Sequence, residues 1–189
     1  KISRALIDKD AVYSAEGQAM TTSGVQIIGQ IVPYAGEYGI SQNPESFAVY
    51  GYRKYFADKN KNCILRLSQD GLTEISSYGM RDFFRDSLNV LDVSNADRGK
   101  IVGGYDVHSK SYLVSLQPAS RNKRVNINQS TLAFDEKTKG WSSFYSFLPS
   151  QFFSIKNSVY SFASKKSVAL GGKDSIYQHY IGDYDTFYE

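Results

Sequence analysis

Cysteine, histidine and proline are scarce in this 189-residue chain, which has one Cys, two His and four Pro. The single cysteine, Cys63, excludes an internal disulfide framework and a cysteine-based zinc site. Long apolar runs are missing too. The longest, residues 25–33, is interrupted by Gly29 and Gln30 and falls short of the roughly 18 residues that a membrane-spanning helix needs. The sequence therefore predicts no membrane partner.

An excess of one charge is also lacking. The chain carries 22 basic and 19 acidic residues, a balance too even to indicate a nucleic-acid-binding protein or one that coats a membrane surface. A hydrophobic content of 41% in 189 residues suffices for the core of one domain, or of part of a larger one. Because the chain opens on Lys1 rather than Met and stops soon after an apparent strand, we expect it to be a piece of a longer polypeptide.

What the chain does have is a series of short apolar runs separated by polar turns, and this pattern predicts a mainly β fold of antiparallel hairpins and meanders. The runs occupy residues 55–57, 63–67, 72–75, 101–105, 111–117, 131–134, 141–147, 152–155, 159–162 and 176–180. Asp70-Gly71 and Lys156-Asn157 are predicted hairpin turns. We expect residues 1–50 to form an N-terminal strand and loop region, with a strand at 25–32. Residues 51–189 are expected to form the antiparallel region, as part of a larger domain.

Three aspartates occupy similar places in this pattern. Asp58, Asp106 and Asp135 each end a strand, and an apolar residue follows six positions later in the return strand. An Asp carboxylate can accept hydrogen bonds from backbone N–H groups two or three residues on. We therefore predict that the three carboxylates fix tight turns at equivalent places of a loose internal repeat.

One amphipathic helix is predicted near residues 78–91. Its apolar stripe at helical spacing consists of Met80, Phe83, Phe84, Leu88 and Leu91. Ser76 or Ser77 is available as the N-cap, and Asp82 lies three residues before Arg85 on the polar side. Such a helix either covers the core or docks a partner, and the first interpretation is favoured.

Residues that usually carry catalysis are few and dispersed. His108 lies in an Asp-led turn, and neither it nor His179 has a second His or Cys nearby in the sequence, so surface or packing roles are expected. Cys63 opens an apolar strand and is expected to be a buried packing thiol. Gly103-Gly104 is interpreted as a strand glycine pair that allows close approach of another backbone.

Paired carboxylates are the remaining candidates, because glycoside hydrolysis needs two of them. The pairs and single groups considered are Asp135/Glu136, Asp58, Asp70/Glu74 and Asp183/Asp185. The first three sets lie in turns whose hydrogen bonds would occupy the carboxylates. The basic cluster at 121–124 is interpreted as a solvated loop. We therefore predict no catalytic, metal or cofactor-binding residues, no cofactor, and a protein that is not an enzyme.

Several sequence segments resemble parts of virion structural proteins of tailed bacteriophages. They lie at residues 43–58, 65–75, 78–86, 103–106 and 134–141. The likeness spans about residues 40–180 and is to large tail-, neck- or baseplate-associated proteins of phages of marine cyanobacteria and gut bacteria. A second resemblance, to kelch-type β-propellers, is carried by residues 101–104 and by Phe134-Asp135 with Trp141 six residues on, although a kelch blade places its Gly-Gly closer to the turn.

These resemblances imply propeller-like blades and a structural component of a virion, located in the particle. They imply other virion proteins as partners and a homo-oligomer within a symmetric assembly. The tyrosine-rich residues 177–188 offer amphipathic contact area and are expected to be a partner contact. The alternative is a carbohydrate-binding or glycan-cleaving propeller module at the host surface. A glycan site needs exposed aromatic rings beside carboxylates on one concave surface, whereas a purely structural piece does not.

Overall fold

The structure is a computed structural model that describes residues 1–8, 11–13, 19–21, 27–91, 99–118, 130–163, 175–179 and 186–188. The fold is mainly β with antiparallel sheets and one α-helix, as the sequence predicts. The chain divides into two compact units, residues 1–39 and 40–189.

The first unit contains two small antiparallel sheets. Strand β1 (Ser3–Asp8) pairs with β4 (Ile27–Pro33), and β2 (Ala11–Tyr13) pairs with β3 (Ala19–Thr21). Strand β4 is the apolar run that the sequence places at 25–32, and it includes Pro33. Proline can occupy the last position of a paired strand because it lacks only the N–H donor and keeps its carbonyl acceptor.

The second unit contains three four-stranded meanders, each with its strands in chain order. The first meander comprises β5 (Ala48–Tyr50), β6 (Arg53–Asp58), β7 (Cys63–Ser68) and β8 (Gly71–Glu74). The second comprises β9 (Lys100–Asp106), β10 (Ser111–Gln117), β11 (Ser130–Asp135) and β12 (Gly140–Tyr145). The third comprises β13 (Gln151–Ile155), β14 (Ser158–Ala163), β15 (Ser175–Gln178) and β16 (Thr186–Tyr188). Each sheet is thus an up-and-down antiparallel meander, in which every strand pairs with its neighbours in the chain.

The predicted helix is present but shorter than expected. Helix α1 spans Arg81–Asn89, and a 3₁₀ turn at Ile75–Ser77 precedes it. Phe84 and Leu88 are fully buried, which places the apolar stripe on the core, and Arg85 Nη1 lies 2.7 Å from Asp82 Oδ1.

The predicted serine cap is wrong. The N-cap residue is Met80, whose side chain makes no capping bond. Ser76 lies in the 3₁₀ turn instead, where its buried hydroxyl accepts a hydrogen bond from Ile64 N at 3.1 Å. The 3₁₀ turn intervenes because Ile75 is drawn fully into the core, so the helix begins one turn later.

The main core lies between the first and second meanders, with α1 packed against it. Because side chains alternate across a strand, every second residue of β9 to β11 faces this core. Its largest fully buried members are Tyr55, Ile64, Leu65, Ile75, Phe84, Leu88, Leu91, Ile101, Tyr112, Leu116, Leu132 and Phe134, of which all except Leu65 form one contact cluster. The opposite face of the second meander packs on the third through Val102, Leu113, Ala133, Phe152 and Val159.

Strand β9 is therefore confined between two layers, and its adjacent glycines make this possible. A Cβ atom on Gly103 would lie 2.0 Å from the Ser46 carbonyl oxygen, and one on Gly104 would lie 2.4 Å from Phe152 Cβ. Real contacts of that kind do not occur, so both positions require a residue without a side chain. The prediction that this pair permits close approach is confirmed.

The Asp-led turns are confirmed at atomic level. Asp58 Oδ1 accepts from Asn60 N at 3.1 Å, Asp106 Oδ1 from His108 N at 2.8 Å, and Asp135 Oδ1 from Lys137 N at 2.8 Å. Each four-residue loop then ends on a residue with positive φ, namely Asn62 (52°), Lys110 (56°) and Lys139 (51°). The three turns thus share one local conformation.

Their places in the meanders are not equivalent, and this part of the predicted repeat is wrong. Asp58 ends the second strand of the first meander, whereas Asp106 and Asp135 end the first and third strands of the second. The hydrogen bonds that the three turns share are local, so such a turn can recur wherever a strand ends and does not mark a repeating unit.

Candidate functional site

Three hairpin loops line one cleft of about 540 Å³. They are the β5–β6 loop, the β7–β8 loop and the β11–β12 loop, so the first and second meanders both contribute. The lining residues are Tyr50, Gly51, Tyr52, Arg53, Arg66, Ser68, Gln69, Asp70, Glu136 and Lys139. We refer to this region as the loop cleft.

The β5–β6 turn sets the exposure of the aromatic side chains. Tyr50 pairs with Arg53, which leaves Gly51 and Tyr52 as a two-residue loop. Gly51 has φ +56°, and glycine at this first position suits the tight turns that match the twist of paired strands. The side chain of Tyr52 is consequently presented to solvent, with 75% of the residue exposed.

Glu136 is the central charged group of the loop cleft. Its side chain is 8% exposed, and its carboxylate accepts hydrogen bonds from Tyr55 OH at 2.5 Å and from Arg66 Nη1 at 2.9 Å. Both donors belong to the first meander, whereas Glu136 follows β11 of the second. A buried carboxylate is tolerated only with such partners, so this group links the two sheets.

A stack of tyrosine rings supports the cleft from below. Tyr50 lies on Tyr105 with ring centroids 4.2 Å apart and planes inclined by 9°, and Tyr55 lies 4.9 Å from Tyr112 and 5.7 Å from Tyr105. Burial, reinforced by the hydrogen bond to Glu136, raises the pKa of Tyr55. Burial also raises the pKa of Tyr105, with Tyr50 as the next contributor. The stacked rings of Tyr50, Tyr105, Tyr55 and Tyr112 therefore form one continuous aromatic layer beneath the cleft.

The rim of the cleft carries two exposed charged side chains, Arg53 and Asp70. Arg53 has a side chain that is 45% exposed, and its Nε atom lies 3.8 Å from Glu136 Oε2, too far for a hydrogen bond. Asp70, with its side chain 69% exposed, lies 3.3 Å from Arg66 Nη2 and accepts a hydrogen bond from the Ser68 hydroxyl. That bond lowers the pKa of Asp70, with its own backbone and Arg66 acting in the same direction.

The acidic residues that the sequence offers as candidates have different structural roles. Asp58 and Asp135 fix turns, as expected. The expectation that Glu136 is consumed by its turn is wrong, because Asp135 supplies the turn bonds and leaves Glu136 free to reach the first meander. Asp183 and Asp185 lie outside the described residues, as does the 121–124 cluster.

The histidines and the cysteine lie apart from the loop cleft. His108 is exposed in the β9–β10 loop, and His179 Nε2 lies 2.8 Å from Ser161 Oγ while its ring contacts Phe147. Cys63 is 2% exposed, and burial, with Glu74 and Asp58 as further contributors, raises the pKa of its thiol to about 12. These positions agree with the surface and packing roles predicted for them.

Within the described ranges, no group of three or more His, Cys, Asp and Glu side chains is arranged to hold a metal ion. In the same part of the chain, no helix has the length and apolar character needed to cross a membrane. Comparison with protein-family models gave no match, and comparison with curated proteins gave none either.

Sequence reasoning missed the loop cleft because its parts are distant in the chain. Tyr55 and Glu136 are 81 residues apart, and Arg66 and Glu136 are 70 apart. One local signal was available: glycine between two tyrosines, followed by arginine, is typical of a tight turn that exposes an aromatic ring.

Proposed function

We propose that this protein is a structural component of a tailed bacteriophage virion, tail-, neck- or baseplate-associated, which assembles through protein–protein contacts. In this proposal its meanders are blades of a β-propeller, and it acts in the particle by binding rather than by catalysis. The resemblance of residues 40–180 to such proteins supports the proposal. The observation that carries it is the apolar outer face of the third meander.

That outer face follows from strand alternation. Phe152 and Val159 face the second meander, so their neighbours Phe153 and Tyr160 face away from it. The apolar side chains of the outer face are Phe153, Ile155, Tyr160, Phe162 and Ile176, with Ile155 53% and Ile176 39% exposed. The ring of Phe153 contacts those of Tyr160 and Phe162, each at 5.0 Å between centroids.

Adjacent apolar side chains on one sheet face favour an interface, because burying them removes apolar area from water. The occupant we propose is a neighbouring copy of the chain, as in cyclic assemblies that reuse one interface. The inner faces of the second and third meanders already pack in this way through aliphatic and aromatic side chains. We expect the contact to exceed the ~1,000 Å² of a specific interface.

Light scattering on the purified chain tests this proposal. We expect oligomers or larger aggregates for the wild type and a shift towards monomer for Ile155→Glu. Val49→Glu is the matched control, since Val49 is 51% exposed in a strand of the first meander. A cooperatively melting wild-type monomer, or loss of assembly with Val49→Glu but not with Ile155→Glu, contradicts the proposal.

Carbohydrate binding at the host surface is the second candidate function, and the loop cleft is the observation that favours it. There, exposed Tyr52 and half-exposed Tyr50 line one concave surface together with Asp70 and Glu136. Binding of saccharides to the purified chain, lost on Tyr52→Ala, is the expected result. Absence of binding for every neutral and acidic saccharide tried contradicts this candidate.

A further inference from the structure

We propose that the loop cleft binds an acidic saccharide without cleaving it, with a sugar carboxylate on Arg53 and a sugar ring against Tyr52. This inference rests on the carbohydrate-binding candidate and names its ligand class. It is independent of the assembly surface on the third meander.

The charges of the loop cleft favour an anion. Three cations, Arg53, Arg66 and Lys139, face two anions, Asp70 and Glu136. Glu136 and Arg66 are committed to each other by their 2.9 Å bond, and Asp70 also lies on Arg66. The excess positive charge therefore resides at the rim.

Arg53 is the group best placed to meet a ligand carboxylate. Its guanidinium is half-exposed, and its nearest carboxylate oxygen among the described residues is 3.8 Å away on Glu136. The guanidinium donates no hydrogen bond to any of the described residues. A guanidinium presents parallel N–H donors that match the two oxygens of a carboxylate, which is why arginine recognises such groups.

The shape of the cleft and its aromatic side chains favour a sugar over a bare anion. Its volume of about 540 Å³ lies within the range of roughly 300–1,000 Å³ typical of small-molecule sites. The exposed ring of Tyr52 offers an apolar surface with a polar end, suited to the C–H face of a sugar ring. Gln69 and Ser68 add hydrogen-bonding groups on the opposite loop.

The same geometry argues against cleavage. Glycoside hydrolysis requires a protonated carboxylic acid as the general acid. Glu136 is tied to Arg66 and Tyr55, and Asp70 is exposed, held by Ser68 and Arg66 in its ionised form. Both oxygens of Glu136 already accept hydrogen bonds, and the lowered pKa of Asp70 favours its ionised form, so the loop cleft offers no group placed to protonate a glycosidic oxygen.

Calorimetric titration of the full chain with trigalacturonate tests the inference, with its neutral methyl ester and inorganic phosphate as comparison ligands. We expect trigalacturonate to bind at least ten-fold more tightly than the ester and than phosphate, and to remain intact after incubation. Arg53→Gln should remove that preference, and Tyr52→Ala should weaken both saccharides at least ten-fold. Arg81→Gln, an exposed arginine on α1, is the matched control and should bind like the wild type.

Each other outcome overturns the inference in a recognisable way. If the acid and the ester bind equally, the inference of an acidic ligand is wrong, while the carbohydrate-binding candidate is retained. Equal binding of phosphate and trigalacturonate shows anion binding without a sugar site. No binding of any saccharide removes both the inference and the carbohydrate-binding candidate, and release of shorter products contradicts the absence of cleavage. Because acid and ester are compared on the wild type, the test does not depend on whether a variant folds.

Discussion

Replacing Gly103 by alanine tests the packing of the layers directly. The added Cβ would lie 2.0 Å from the Ser46 carbonyl oxygen and 2.9 Å from Tyr112 OH. Ser46 ends a short 3₁₀ turn, Pro44–Ser46, that precedes β5. Ordinary contact begins near 3.4 Å, so this turn must move away by about 1.4 Å. Both the packing and the 2.8 Å hydrogen bond from Tyr112 OH to Ser46 O oppose that movement.

The expected loss of stability comes from the overpacking and from the weakened hydrogen bond. Overpacking a well-filled interior costs roughly 1–3 kcal/mol, and weakening a buried hydrogen bond adds about 1 kcal/mol. Alanine restricts the unfolded chain and offsets about 0.4–1 kcal/mol of this. We therefore expect Gly103→Ala to lower the free energy of unfolding by about 1–4 kcal/mol.

Urea denaturation followed by fluorescence measures this change, because the single tryptophan of the chain, Trp141, is partly buried and packs against the core. Trp141 packs on Phe84 with ring centroids 4.5 Å apart and donates to Ile75 O at 3.0 Å. Gly140→Ala is the matched control, since a Cβ there meets its nearest neighbour at 3.9 Å. A Gly103→Ala variant as stable as Gly140→Ala would refute the packing of β9 between two layers.

Three further predictions concern single side chains of the first and second meanders. Glu136→Ala should lower the free energy of unfolding by about 3 kcal/mol, because it removes the buried partner of Arg66, which keeps only the exposed Asp70, and also the acceptor of Tyr55 OH. Glu45→Ala, at an exposed position, should change it little. Urea denaturation compares the two variants, and equal stabilities contradict the role of Glu136 as a link between the sheets. Cys63, whose buried thiol has a pKa raised to about 12, should not react with a thiol reagent at pH 8 in the native state but should react fully in urea, and rapid native labelling contradicts its burial. Burial raises the pKa of the Tyr112 hydroxyl, so the unfolded state loses the hydroxyl proton before the folded state does as pH rises. The stability conferred by the neutral ring is therefore fully present below pH ~10. Above that pH it falls by about 1.4 kcal/mol per pH unit. In alkaline denaturation series the Tyr112→Phe variant should show a shallower decline than the wild type, and identical slopes contradict this assignment.

Local features of the fold were predictable from the sequence. Asp106 fixes its turn through N–H groups two and three residues on, and such bonds depend only on neighbouring residues. The apolar stripe of α1 was predictable for the same reason, since Phe84 and Leu88 are spaced by one helical turn. The helix start was not, because the burial of Ile75 is a tertiary effect.

The loop cleft depends on contacts that no local pattern encodes. Glu136 reaches Arg66 only because two meanders stack face to face, and the offset between them is set by side-chain packing across the core. A sequence can indicate that a carboxylate follows an Asp-led turn. It does not indicate which arginine of another sheet that carboxylate meets.

Proteomic measurement of purified phage particles tests the central proposal most directly. If the chain is a virion structural component, its peptides will co-sediment with density-gradient-purified, nuclease-treated particles at several copies per particle, and an antibody against it will label the tail, neck or baseplate in electron micrographs. If its peptides are abundant in the infected lysate but missing from the purified particles, the proposal is contradicted.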